Sequence, residues 1–301
     1  MNADQPGWNL YRSFLAVLRE GSLSAAARAL DLAQPTLARH IDALEAGLGL
    51  ELFTRSQQGL TPTDAALEIA PYAETLESAA AAMLRAASGL GVAVRGTVRI
   101  SASEMVGAEI LPPILTGLRR QHPELEFELM LSNTVSNLLR READIAVRMV
   151  EPAQDALVVR KLGAVSLGLH AHKDYLDRAG TPAALSDLAG HTLIGFDRET
   201  PAIRAMRSRV PGAAGLHYAL RADSDMAQWR AIQAGFGIGI CQAPLAQQVP
   251  GLVRLLPDAI DFSLGVWLAL HENLRATPRC RAVFDGLADG LSRYLLTDRR
   301  V

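Results

Sequence analysis

The chain has 301 residues, of which 49% are hydrophobic, and its formal net charge at pH 7 is −2. This length allows two or more folded units, and no apolar run reaches the roughly 20 residues that a membrane-spanning helix needs. The polar segment Met1–Asn9 has neither a basic region nor an apolar core, so we expect no secretory signal and a cytoplasmic protein. Because Cys241 and Cys280 form no C-x-x-C motif, we favour two unreactive thiols over a zinc site, a disulfide or a redox switch.

The charge of the N-terminal region does not by itself indicate nucleic-acid binding. Residues 1–60 contain five arginines and six acidic side chains, a net charge of −1, whereas DNA-binding domains are usually basic. An argument for DNA binding therefore depends on the pattern and placement of residues.

A first helix is predicted from Trp8, with apolar residues at helical spacing, and Gly21 ends it. Ser24 is the expected N-cap of a short second helix over Ala25–Leu30. A tight connection then leads to a third helix.

The third helix is predicted to begin at Gln34 and Pro35, because a proline at the first helical position costs no hydrogen bond. Its apolar residues are spaced four, three and four apart, so they form one stripe, and polar residues lie on the opposite face. The stripe is Leu37, Ile41, Leu44 and Leu48, and the opposite face carries Pro35, Thr36, Arg39 and Asp42. Two short helices joined by a tight turn, the second with a small polar face, fit the major groove of DNA.

A hairpin and a long helix are predicted next. Residues 51–61 have the pattern of a β-hairpin with Gly59 in or beside its turn, and Arg55 in such a wing would reach phosphate or the minor groove. From Thr63 to about Leu90 an alanine-rich helix has apolar residues every seven positions, which favours pairing with a second helix over packing on its own domain. Pro71 should kink this helix or mark its first turn. The residues of the predicted pairing seam are Ile69, Tyr72, Leu76, Ala79, Met83, Ala86 and Leu90.

Beyond the glycines of residues 89–96 the pattern changes to alternating strands and helices, which is typical of an α/β unit with parallel strands. Strands are predicted at Thr97–Ser101, Leu125–Leu131, Asp144–Val147, Ser166–His172, Thr192–Phe196 and Gly237–Gln242, and helices at Ile110–Gln121 and Ser136–Glu142. Ligands bind at the carboxyl ends of the strands in such sheets.

Many spaced motifs resemble the LysR-type transcriptional regulators over roughly residues 8–295. In the N-terminal region they are Gly21–Leu30, Gln34–Arg39, Ile41, Leu44–Glu45, Leu48–Gly49, Leu52–Phe53, Arg55 and Gly59–Thr61. In the C-terminal region they are Gly96–Ile100, Ala143–Arg148, Asp187–His191 with Leu193–Ile194, and Ala234–Ile238. The chain departs from the family pattern at Asp64, near the place of a usual glycine, and at Asp42, an acidic side chain on the outward helix face.

The resemblance implies an α+β multidomain protein: a winged helix-turn-helix with a long linker helix, then a two-lobed α/β effector domain similar to periplasmic binding proteins. The expected domains are the DNA-binding domain at 1–62, the linker or dimerisation helix at 63–91 and the effector-binding domain at 92–301. Within the last, lobe I comprises about 92–163 and 269–301, and lobe II about 164–268. The family also implies a homodimer or a dimer of dimers on partly palindromic promoter DNA, with a small-molecule effector between the lobes.

Candidate DNA contacts follow from the two helix starts, the polar face and the wing, where groove and phosphate contacts concentrate. They are Ser24, Gln34, Pro35, Thr36, Arg39, His40 and Arg55. Arg39 is the first choice because a bidentate arginine–guanine pair discriminates strongly between bases. For each single residue, a solvated helix face remains the alternative.

Candidate effector contacts follow from the rule that ligands lie at strand ends. They are Ser101, Ser103, Glu104, Ser132, Asn133, Thr134, Arg148, Phe196, Ser224 and Asp225. Arg148 suits a carboxylate, whereas Glu104 would repel one, so we expect a polar or carboxylated metabolite. A structural role as a helix cap or strand-end ion pair is an equal alternative for each residue.

Two other functions are weighed against regulation of transcription. The lobes would also suit a solute receptor for transport, but the DNA-binding head and the lack of a signal sequence argue against it. An enzyme is disfavoured because no nucleophile–base or metal constellation occurs, and His170-x-His172 lacks further ligands. We expect no cofactor, no metal and no membrane association, with RNA polymerase as a further partner.

Overall fold

The computed structural model describes residues 6–56, 59–88, 93–133, 143–152, 157–200, 203–204, 216–259 and 262–297. The chain divides into two compact units, one built on Met1–Ala87 and the other on Ser88–Val135 with Ala143–Val301. The predicted helix Ser136–Glu142, together with Leu90 and Thr134, lies outside the described residues. Across the described ranges, no helix is both long enough and apolar enough to cross a membrane.

The described part of the first unit has the predicted order of helices and hairpin. Its elements are α1 (Trp8–Glu20), α2 (Leu23–Ala29), α3 (Gln34–Leu48), β1 (Phe53–Ser56), β2 (Gly59–Pro62) and α4 (Asp64–Ser88). The strands β1 and β2 are antiparallel, with Arg55 opposite Leu60. The core lies between the apolar faces of these helices, where Phe14, Leu37 and Leu44 are fully buried.

The cap of α2 differs from the sequence prediction. Ser22, not Ser24, precedes the helix with extended dihedral angles, and its side chain accepts a hydrogen bond from the N–H of Ala25. Ser24 therefore lies inside the first turn, and the prediction that it caps this helix was wrong. The end of α1 is as predicted, because Gly21 adopts a left-handed conformation with φ of 68° and donates its N–H to Val17 O.

The start of α3 also shifts by one position. Gln34 is the first helical residue and Pro35 the second. A proline there still costs no hydrogen bond, because the first N–H groups of a helix have no partner within it.

In its described part, the second unit contains a seven-stranded sheet and a two-stranded sheet. The larger sheet contains β3 (Gly96–Ala102), β4 (Leu125–Leu131), β5 (Ile145–Arg148), β6 (Leu157–His172), β9 (Gly239–Gln242), β10 (Leu252–Leu255) and β11 (Phe262–His271). The smaller sheet pairs β7 (Leu193–Gly195) with β8 (Tyr218–Arg221). The helices are a π-turn (Val106–Ile110) leading into α5 (Leu111–Gln121), α6 (Lys173–Ala179), a 3₁₀ turn (Leu185–Gly190), α7 (Asp225–Gln233), α8 (Ala243–Ala246), a 3₁₀ turn (Glu272–Leu274) and α9 (Pro278–Thr297).

The prediction of parallel strands throughout this unit was wrong. β3 pairs in parallel with β4 and β5, and β7 with β8. The strand β6, however, pairs antiparallel with β9, β10 and β11, and β11 pairs antiparallel with β5. β6 is also much longer than the predicted Ser166–His172. The prediction missed its first half, which is partly buried or exposed and lacks the buried run of the second half.

The two long antiparallel strands β6 and β11 each cross a predicted boundary between the two lobes, near residues 163 and 268. Their pairing changes register between Val266 and Trp267, opposite Gly163, which has φ of 150°. The apolar core beside β3 and β5 includes Ile100, Val147 and Leu287 from α9, and a separate core around β6, β7 and α6 includes Leu169 and Leu193. The first core also contains Ile194 and Trp229, which belong to predicted lobe II, so the two cores do not coincide with the predicted lobes.

Candidate functional site

The outward face of α3 carries most of the predicted DNA contacts. Gln34, Pro35, Thr36 and Arg39 are all exposed, while the predicted apolar stripe of α3 is buried or half-buried. The helix thus presents a polar surface about one and a half turns long at its start, the part of a recognition helix where contacts with DNA concentrate. Asp42 is also exposed on this helix.

The starts of α2 and α3 are joined by two of the predicted contact residues. The hydroxyl of Ser24 donates a hydrogen bond to Oε1 of Gln34 over 3.0 Å. Both side chains are exposed, so their remaining hydrogen-bonding groups stay accessible. This bond links the starts of the two helices, the part of a helix-turn-helix that contacts phosphate and base edges.

His40 differs from the other candidates because its ring partly faces the domain. Its Nδ1 lies 2.8 Å from Oγ of Ser13, a buried residue of α1. The half-buried imidazole therefore links α3 to α1 through one nitrogen. Only its second nitrogen remains for an outside partner.

The wing is attached to the end of α1. Leu60 donates its N–H to Gly21 O over 3.0 Å, and a Cβ atom added to Gly59 would lie 2.7 Å from the same oxygen. Gly59 is therefore required by close approach of the wing to α1 as well as by its φ of 124°. Arg55 lies in β1, and its side chain is outside the described residues.

The helix α4 has one face packed on its own domain and another face open. Ala66, Ala70 and Ala73 are buried in the core of the first unit, and Ile69 packs against that core. Tyr72, Leu76 and Met83 from the predicted seam are 73%, 48% and 68% exposed. Packing on the same domain therefore involves Ile69, whereas the other three apolar side chains are exposed.

The second unit brings Arg148 and Ser101 together at the carboxyl ends of β5 and β3. Nη2 of Arg148 donates to Oγ of Ser101 over 2.7 Å, and Nη1 donates to Val147 O over 2.9 Å. Arg148 is 7% exposed, and burial lowers the pKa of its guanidinium. In the part of the chain that the structure describes, its Nε has no hydrogen-bond acceptor, so this buried cation is available to an anion.

A second group of candidates meets around Glu104, just beyond the end of β3. The N–H of Glu104 donates to Oδ1 of Asn133 over 3.1 Å, and its Oε2 accepts a 2.8 Å hydrogen bond from Oγ of Ser224. Ser224 also caps α7 by accepting from Ala227 N–H. Burial, and to a lesser degree the charge of Glu104, raises the pKa of Asp225. Residues 120 positions apart thus converge here, as the strand-end rule predicts.

The remaining candidates in this region lie at the same sheet edge. Ser103 accepts the N–H of Gly107 through its backbone oxygen, and Ser132 donates its N–H to Ala102 O. Thr134 is outside the described residues.

An ion pair that sequence reasoning missed lies beside the Glu104 group. Nη2 of Arg230 in α7 donates to Oε1 of Glu109 in the π-turn over 2.8 Å. No local motif marks the pair, because its members lie 121 positions apart.

Phe196 lies apart from these residues, in the lining of a cavity of about 310 Å³ within the second lobe. The cavity is mainly apolar, and polar side chains that follow β7 and end β8 line part of it. The lining includes Leu169, Leu188, Leu193, Ile194, Phe196, Leu216, Tyr218, Ile238 and Ile240, together with Asp197, Arg198, Glu199, Arg221 and Gln228. Phe196 therefore lines a cavity to which neither Arg148 nor Glu104 contributes.

Two family descriptions match most of the chain. Residues 8–67 match "Bacterial regulatory helix-turn-helix protein, lysR family", and residues 91–292 match "LysR substrate binding domain". Both matches coincide with the units that carry the two candidate sites.

Individual relatives agree with this assignment. An HTH-type transcriptional regulator of Xanthomonas campestris pv. campestris is 31% identical over 181 residues, which are 59% of this chain and 52% of that protein. PtxR of Pseudomonas aeruginosa is 30% identical over 93% of this chain and 92% of its own length. The crystal structure of full-length CbnR complexed with its target DNA shares the fold with a TM-score of 0.66, at 20% identity over 96% of this chain and 99% of CbnR. The match to the Xanthomonas protein spans about half of that protein's length. Because the two family descriptions together match most of the chain, it belongs to the lysR family of bacterial regulatory helix-turn-helix proteins, with the helix-turn-helix match at residues 8–67 and the LysR substrate binding domain at residues 91–292.

Proposed function

We propose that the first unit reads promoter DNA through the start and polar face of α3, with the wing on the flanking backbone. The contacts would be made by Ser24, Gln34, Pro35, Thr36, Arg39, His40 and Arg55. The observation that carries this proposal is the exposure of Arg39 and Thr36 on a helix whose leucines are buried. Because the region has few basic side chains, specific binding depends on a few good contacts and on two heads bound together.

The proposed assembly is a homodimer, or a dimer of dimers, formed through α4. The open face of Tyr72, Leu76 and Met83 offers apolar area whose burial is favourable. The proposed domains are the DNA-binding domain at 1–62, the linker helix at 63–91 and the effector domain at 92–301, and the division of the chain after Ala87 lies close to the proposed start of the effector domain. In the effector domain, the register change opposite Gly163 supports a lobe boundary near residue 163.

The proposed effector is a small metabolite with a carboxylate, bound between the lobes. Arg148 would hold the carboxylate together with Ser101, because a buried guanidinium without a counter-ion gains most from an anion. Ser224 of proposed lobe II donates a hydrogen bond to Glu104 of proposed lobe I, so a ligand that replaces this bond would alter the relation of the lobes. Binding would thereby change the protein's effect on RNA polymerase at a promoter in the cytoplasm, without catalysis.

A gel shift with the promoter DNA beside the protein's own gene tests the DNA contacts. Arg39→Ala should weaken specific binding at least about fivefold, since a good arginine–base pair gives about 1–3 kcal/mol of discrimination. Arg119→Ala is the matched control, because Arg119 is an exposed arginine of α5 in the second unit. Equal affinity of Arg39→Ala and Arg119→Ala for this DNA would remove Arg39 from the proposal.

A further inference from the structure

Two buried hydrogen-bond donors, one at the end of β5 and one in the middle of α7, have no acceptor in the described ranges. One is Nε of Arg148, and the other is Nε1 of Trp229. The two side chains are 7% and 1% exposed. Buried donors without acceptors are costly, and among the described residues no carboxylate forms an ion pair with Arg148. This side of the effector site lacks an anion.

Two carboxyl groups in the same region lack a cationic partner among the described residues. Glu104 accepts a hydrogen bond from the neutral hydroxyl of Ser224, and Asp225 follows Ser224 in the chain. Neither carboxyl has a cationic partner within the described part of the chain, since the nearby Arg230 pairs with Glu109. The raised pKa of Asp225, due first to burial and then to the charge of Glu104, indicates that the two groups lie close together in a partly desolvated place.

The donors and the carboxyl groups are connected through the end of β3 and through α7. Ser101, which binds Arg148, is the second-last residue of β3, and Glu104 follows the same strand. Asp225 and Trp229 are four positions apart in α7, so they share one helix face. A ligand at this edge of the sheet would therefore meet unmatched donors and unmatched carboxylates together.

We infer that the effector is a zwitterion with an amino group as well as a carboxylate, such as an amino acid. This inference rests on the proposed effector site and specifies its ligand. The carboxylate binds Arg148 and Ser101, and the ammonium binds between Glu104 and Asp225. A plain carboxylic acid would satisfy Arg148 but would face the repulsion of the two carboxylates, and a plain amine would leave Arg148 unpaired.

The test compares matched ligands on the full-length protein by thermal shift and calorimetry. The probes are proteinogenic amino acids, each beside the carboxylic acid that lacks its amino group and the amine that lacks its carboxylate. We expect at least one amino acid to bind about tenfold or more tightly than both of its partners. Binding of the carboxylic acids that equals or exceeds that of every amino acid would overturn the inference, and so would the absence of binding by any amino acid.

Charge-neutral variants then locate the amino group. Asp225→Asn and Glu104→Gln should weaken amino-acid binding about tenfold while leaving binding of the matching carboxylic acid unchanged or improved. Asp285→Asn, an exposed carboxylate of α9, is the control and should change neither. Equal affinity of the amino acid for Asp225→Asn, Glu104→Gln and the unaltered chain would refute the ammonium site.

The proposed regulator function can be separated from this inference with the same preparations. A gel shift reports DNA binding whatever the ligand is, and Arg148→Met should abolish binding of both amino acids and carboxylic acids. Loss of carboxylate binding in Arg148→Met without amino-acid selectivity would sustain the proposed anion site and reject the zwitterion. If Arg148→Met leaves the binding of carboxylates unchanged, both the proposed anion site and the zwitterion inference would be rejected.

Discussion

Oγ of Ser13 and Nδ1 of His40 lie 2.8 Å apart, which ties α3, the helix proposed to read DNA, to the buried face of α1. Ser13 is 1% exposed, so its hydroxyl has no access to water as an alternative partner. The bond therefore holds the orientation of α3 from inside the domain.

Ser13→Ala should loosen α3 without removing a DNA contact. Loss of a partner for a partly buried polar group costs about 1 kcal/mol, which corresponds to roughly fivefold faster amide exchange in α1 and α3 when exchange follows local opening. Hydrogen exchange of the full chain measures this effect, and peptides from α9 provide the internal control. Unchanged exchange in α3 would show that the Ser13–His40 bond does not hold the helix.

The proposed dimerisation through α4 can be tested by making the same leucine-to-glutamate substitution at two sites. Leu76 and Leu296 are similarly exposed, at 48% and 53%, but only Leu76 lies in the proposed seam. Leu76→Glu should weaken self-association at least about tenfold, because a charge would have to be buried in an apolar interface. Leu296→Glu should leave the association unchanged in analytical ultracentrifugation, and equal effects of the two changes would argue against α4 as the dimer helix.

The buried His170 should make the second unit sensitive to acid. Burial lowers the pKa of His170 from its usual 6.5 to about 4, although its hydrogen bond to Gly168 O opposes this. The unfolded chain therefore binds a proton near pH 6.5 while the folded chain does not, so stability falls as the pH drops from about 6.5 towards 4. The full loss from this group is about 3 kcal/mol.

Unfolding by urea at several pH values measures this contribution. His170→Gln removes the titrating group, so the difference in stability between the unaltered chain and this variant should shrink as the pH falls through that window. A difference that stays constant from pH 7 to pH 4 would contradict the assignment.

Both thiols should be unreactive in the folded protein. Burial raises the pKa of Cys241 to about 12, and Cys280 is fully buried. Because the thiolate is the reactive form, a disulfide reagent at pH 8 should label neither cysteine in the native protein and both in guanidinium chloride. Rapid labelling of either thiol in the native protein would instead favour the redox switch.

The first unit was predictable because its structure depends on local signals. The four-three-four spacing of the apolar residues in α3 determines which face is buried, and Gly21 and Gly59 mark backbone positions that favour glycine. The cap of α2 was misassigned because Ser22 and Ser24 are chemically equivalent as caps. Their dihedral angles decide between them, and these are set by the chain's exit from α1.

The candidate effector site was predictable only in part, since its contacts join distant segments. The strand-end rule found Ser101, Glu104, Arg148 and Ser224, but it could not show that Glu104 bonds Ser224 or that Arg148 bonds Ser101. It also grouped Phe196 with them, whereas this residue lines the cavity of the second lobe. The antiparallel course of β6 was missed because strand direction depends on a crossing between lobes, which leaves no mark in local periodicity.

A footprint on the DNA beside the protein's own gene tests the central claim most directly. If a dimer places α3 of each chain in the major groove, it should protect a partly palindromic site. The two half-sites should lie about one helical turn, or a multiple of it, apart. Protection that disappears in Arg39→Ala and remains in Arg119→Ala would agree with this account. If the protein is folded and dimeric but protects no segment of this DNA, just as it protects none of an unrelated DNA at the same concentration, the result would contradict this account.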